Sequence, residues 1–89
     1  MTNCVKLYSD NQFVQYAKGD NGIWYKRIRW SNRWDKWIRL GKITKILERK
    51  NPQKYLSVCF TEGTCPQGFY LDMRDTKTKL TNIKLPEEK

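Results

Sequence analysis

The chain has 89 residues, enough for one hydrophobic core and too few for two. Its 18 Lys and Arg stand against 9 Asp and Glu, a formal charge of +9. Leu, Ile, Val and Phe number only 19, so the 12 aromatic residues, four of them Trp, must supply the missing apolar area. No uncharged run approaches the ~20 apolar residues of a membrane-spanning helix, and the stretch Met1-Thr2-Asn3-Cys4-Val5-Lys6 has no signal-peptide character. A cytoplasmic protein without a membrane partner is therefore expected. Histidine is absent, which removes the commonest general base, the His-dependent triads and most zinc sites.

Val5-Lys6-Leu7-Tyr8 alternates as a first strand and stops at the turn cluster Ser9-Asp10-Asn11. Phe13-Val14-Gln15-Tyr16-Ala17 reads as a second strand, and Gly19-Asp20-Asn21-Gly22 as a turn whose glycines suit positive φ. Residues 23–30 form an aromatic and β-branched strand with Trp24, Lys26, Ile28 and Trp30 on one face and Tyr25, Arg27 and Arg29 on the other. Ser31-Asn32-Arg33 is a turn. Residues 34–50 fit two readings. A helix would align Trp37, Leu40, Ile43 and Leu47; strands at 37–39 and 42–49 would break at Gly41. The β-branched Ile43, Thr44 and Ile46, together with Gly41, favour strands.

After a turn at 50–53, residues 55–60 are a strand, 62–68 a loop and 69–73 another strand. Arg74-Asp75-Thr76-Lys77 turns the chain into an alternating strand at 80–85, and 86–89 is a frayed tail. The expected fold is all-β, with room for one short helix: a small antiparallel barrel or sandwich of about 5–7 strands. It forms a single domain over residues 1–85.

The three cysteines are odd in number, which points to reduced thiols, with Cys59 buried on a strand and Cys65 in a loop. A Cys59–Cys65 disulfide across a hairpin is geometrically conceivable. Three thiols without His cannot complete a four-ligand zinc site, and Asp20, Asp35, Glu48 and Glu62 show no metal spacing. Asp72 and Asp75 read as ordinary turn residues. Gly19-x-x-Gly22 lacks the strand–loop–helix context of a phosphate loop. No cofactor, metal or catalysis is expected.

Charge is distributed unevenly. Residues 24–54 carry 11 basic side chains against Asp35 and Glu48, together with all four Trp, whereas residues 55–89 are neutral. Cations neutralise phosphates, and flat rings accept unpaired bases by stacking. The expectation is a nucleic-acid-binding protein, single-stranded DNA or RNA favoured. Trp30, Trp34 and Trp37 would stack, while Lys26, Arg27, Arg29, Arg33, Lys36, Arg39, Lys42 and Lys45 would contact phosphates. Trp24, beside Ile23, is expected in the core.

The same residues fit a small inhibitor or adaptor that meets an acidic protein, since Trp, Tyr and Arg dominate protein-binding hot spots. An exposed aromatic strand also leaves a homodimer seam open. Gly22-Ile23-Trp24-Tyr25-Lys26-Arg27 followed by Trp34-Asp35-Lys36-Trp37-Ile38-Arg39-Leu40-Gly41 resembles a blade of the tectonin-type β-propeller lectins. That resemblance spans residues 13–41 and implies strands there, with Trp34 and Trp37 as blade-core or sugar-stacking residues of a carbohydrate-binding module. Residues 42–89 carry no second copy of the motif.

Overall fold

A computed structural model describes residues 2–9, 13–50, 55–63, 65–70 and 79–86. Among them run β1 (Thr2–Ser9), β2 (Val14–Gly19), β3 (Trp24–Trp30), β4 (Arg33–Trp34), β5 (Ile38–Gly41), β6 (Ile43–Lys50), β7 (Tyr55–Phe60), β8 (Gln67–Tyr70) and β9 (Lys84–Leu85). The fold is all-β. β4-β3-β2-β1-β9 form one antiparallel sheet, with β5 also pairing β3, and β6-β7-β8 form a smaller one.

The long ambiguous segment resolves into β4, β5 and β6, so the helical alternative falls. Gly41 shows why: its φ is +83°, outside the helical region, and it sits at a bulge where Trp24 pairs Gly41 but Tyr25 pairs Arg39. A Cβ at Gly41 would collide with Thr61 Oγ1. The loop after β7 latches onto this junction. Thr61 N–H donates to the Lys42 carbonyl and Glu62 N–H to the Leu40 carbonyl, each at 3.0 Å.

The β2–β3 turn is as expected, but its glycines serve different ends. Gly22 adopts positive φ (83°), whereas Gly19 is tight for space, since a Cβ there would lie 2.5 Å from Thr2 Cγ2. Three further expectations need correction. The strand foreseen at 80–85 is a 3-10 turn over Leu80–Asn82 followed by only two strand residues. Pro86, assigned to a frayed tail, accepts a hydrogen bond on its carbonyl from the Tyr25 hydroxyl at 3.3 Å. Cys59 and Cys65 are joined in a disulfide with Cα atoms 4.7 Å apart, and Cys59 is half-buried, not buried. Pairing was invisible to a count of three because Cys4 is the odd thiol, buried on β1. The turns foreseen at 51–53 and 74–77, and the end of the strand at 71–73, lie outside the described residues.

Each face of the larger sheet has its own core, which corrects the expectation that 89 residues leave room for only one: a single sheet with buried side chains on both faces serves two clusters. On one face Tyr8, Tyr16, Trp24 and Leu40 meet Leu56, Val58, Phe60 and Phe69 of the smaller sheet. On the other, Cys4, Leu7, Ala17, Ile23 and Tyr25 are covered by Ile83 and Leu85, with Leu80 and Trp37 against them. No helix among the described residues is long and apolar enough to cross a membrane.

Candidate nucleic-acid interface

β3 carries both cores at its start and cations at its end. Its alternation sends Trp24 into the inter-sheet core and Tyr25 into the other. Four residues later the same two faces present Ile28 and Arg29, then Trp30, which is 65 % exposed. The chain reverses through Ser31 and Asn32, with Ser31 at φ 55°, the positive φ that two-residue hairpins require. β4 then sets Arg33 directly across from Trp30 and Trp34 across from Arg29.

Cross-strand partners share a face, so this register divides the three surface tryptophans. Trp30 and Arg33 leave one side of the hairpin, and Arg29 and Trp34 leave the other. The three tryptophans assigned to stacking therefore lie on two sides of different character. Trp34 sits on the Arg27 side, where the Arg27 guanidinium lies 4.7 Å from its ring centroid and 4.5 Å from that of Trp37. Arg27 Nε also donates to Gln15 Oε1 at 2.7 Å, and Gln15, its cross-strand partner on β2, is buried. Such cation–π contacts contribute ~0.5–2 kcal/mol, more when water is displaced. Arg27, Trp34 and Trp37 are half-buried and hold one another, and Trp37 additionally packs on the second core.

The remaining candidates are spread around this centre. Lys26 is half-buried on the Trp30 side, its Nζ donating to Gln67 Oε1 at 3.3 Å. Lys36 is exposed in the β4–β5 link, where its backbone N–H donates to Asp35 Oδ1 at 2.9 Å. Arg39 pairs with Glu62 across an exposed surface. Lys42 is exposed next to Gly41, which pairs Trp24 at the opposite end of β3 from the hairpin, and Lys45 is exposed on β6 of the smaller sheet. The hairpin thus brings together Trp30, Arg33, Arg29 and Trp34, but not Lys42 or Lys45.

Sequence reasoning missed Phe13, Gln15 and Glu62. Arg29 N–H donates to the Phe13 carbonyl at 2.6 Å, which carries the ladder one residue beyond β2 and places an exposed ring beside Arg29. Only the strand register reveals these neighbours, and no local motif announces them. Burial pushes the Cys4 thiol above its usual range, and the Lys6 backbone and the Arg27 charge offset part of that rise. No group of three or more His, Cys, Asp or Glu among the described residues could hold a metal ion. In the segment that resembles a tectonin blade, Trp34 lies on β4 but Trp37 falls in the irregular link before β5. Comparison with protein-family models, curated proteins and solved structures finds no match to the chain.

Proposed function

We propose that the chain binds nucleic acid, single-stranded DNA or RNA in preference to a perfect duplex, and that it does so without catalysis. The observation that carries this reading is the exposed Trp30 indole at the tip of a hairpin whose strands also bear Arg29 and Arg33. An indole open to solvent offers an unpaired base a surface to stack on, and flanking guanidiniums attract phosphates. A surface that needed cations only for solubility would have no use for a large exposed ring between them.

Intrinsic tryptophan fluorescence, titrated with a single-stranded oligonucleotide, a duplex and a soluble acidic polypeptide at two salt concentrations, tests the reading. Quenching by the single strand that weakens steeply with salt is expected. The double variant Arg29→Glu with Arg33→Glu should flatten the slope of log K against log salt by about two phosphate contacts. A response to the polypeptide alone would instead identify an acidic protein as the partner.

A further inference from the structure

The geometry points to a narrower ligand: an isolated unpaired nucleotide set in or beside a duplex, a bulge or a helix end, read by the β3–β4 hairpin tip. This rests on the nucleic-acid reading above and specifies which form of it the hairpin suits. Three observations converge. Trp34 and Trp37 already contact the Arg27 guanidinium at 4.7 and 4.5 Å and are half-buried, while Trp30 is 65 % exposed. Trp30 and Trp34 leave opposite sides of the hairpin, so a strand running along one side meets one open indole, not a row of three. The hairpin closes through two residues, and Trp30, Ser31, Asn32 and Arg33 are all exposed, so the tip is narrow and open to a ligand.

A long single strand gains most from successive rings on one surface. A hairpin tip with one open indole and a cation on each side suits a different target, the exposed Phe13 ring beside Arg29 lying off the hairpin on the neighbouring chain segment. The ring fills the place beside one unstacked base, and Arg33 on one side and Arg29 on the other each face a flanking backbone. A duplex defect supplies two such backbones close together; a lone strand supplies one. Unstacking is also least costly where a base is already unpaired.

The test uses the full chain and three labelled probes followed by fluorescence anisotropy: a duplex with a one-nucleotide bulge, the same duplex without it, and an oligo-dT strand. The bulged duplex should bind at least about tenfold more tightly than the perfect one, the scale that one stacked base sets. Trp30→Ala should bring the two duplexes to parity, and Trp30→Phe, which keeps a ring, should retain most of the preference. Trp30 is exposed enough that neither variant disturbs a core. Equal binding of both duplexes by the unaltered chain, or a preference that survives Trp30→Ala, overturns the proposal while leaving nucleic-acid binding intact. Binding of oligo-dT more tightly than the bulged duplex also overturns it, in favour of an extended strand. Failure of all three probes at low salt removes the broader reading together with this one.

Discussion

The two faces of the larger sheet are closed by different means. On the inter-sheet face, ring packs against ring. Phe69, fully buried, lies 4.7 Å from Tyr16, 5.5 Å from Trp24 and 5.7 Å from Tyr8, centroid to centroid. On the opposite face a two-residue edge strand and a 3-10 turn cover Leu7, Ala17 and Tyr25. Beyond them Arg27 and two indoles take over where apolar residues run out. A chain short of aliphatic residues fills one side with aromatic pairs and finishes the other with a cation. Basic residues in such a chain are therefore not all surface charges. Arg27 belongs to the architecture, whereas Arg29 and Arg33 remain candidates for a ligand.

The largest expected effect falls on the ring-packed face. Phe69→Ala should cost about 3–5 kcal/mol, most of the stability of a domain this small. Leu85→Ala, on the edge strand of the other face, should cost about 2–3 kcal/mol, at the lower end for a buried Leu, because a two-residue edge strand paired on one side can shift toward the space left. Urea denaturation of both variants compares the faces directly. A larger loss at Leu85 would reverse the ranking and make the C-terminal cover the principal core.

Gly41→Ala falls between Phe69→Ala and Leu85→Ala. Its φ of +83° disfavours any side chain, and the new methyl would press into Thr61, so about 2–4 kcal/mol should be lost. Because Gly41 sits where β5 leaves β3 for the smaller sheet, this variant tests whether the two faces unfold together. A single coincident transition by near- and far-ultraviolet circular dichroism is expected; two separate transitions would show that each face folds alone.

Arg27→Lys sharpens the comparison because it keeps the charge and removes the planar fork. Lysine cannot spread a flat cation over two rings, and its head group prefers water. A loss of about 1–2 kcal/mol is expected, with red-shifted tryptophan emission as Trp34 and Trp37 gain water. Unchanged stability would return Arg27 to the set of phosphate-contacting residues.

These expectations also show where the sequence was readable. Strands at 55–60 and 23–30 were legible because β-branched and aromatic residues cluster between turn signals there, and Trp24 was legible as core from its neighbour Ile23 and its alternation with Ile28. The helix-or-strand ambiguity at 34–50 arose because Trp37, Leu40, Ile43 and Leu47 satisfy a helical period; Gly41's left-handed backbone settles it, and φ is not written in residue type. The candidate site was half legible. Its cations and rings were evident, but which side each one takes depends on the Trp30–Arg33 register, and Arg27's role depends on Gln15, a residue far along the chain. The strand foreseen at 80–85 failed because its alternation is shared by any segment that lays Ile83 and Leu85 on a core.

The smallest effect separates Arg39 from Arg27. Arg39 pairs with Glu62 where both side chains are well exposed, 38 % and 47 %, so water and salt screen the attraction. Glu62→Gln should change stability by no more than about 0.5 kcal/mol. It also removes a carboxylate bordering the cationic surface and raises the net charge by one. If Arg39 contributes to that surface, affinity for a single-stranded oligonucleotide should rise about twofold at low salt, and the gain should vanish as salt increases. A loss of stability well beyond this range would mean that the ion pair helps hold the Thr61–Glu62 latch on β5, and Arg39 would join Arg27 as part of the architecture. An unchanged affinity at every salt concentration would confine the ligand to the hairpin, with Trp30, Arg29 and Arg33 as its working residues.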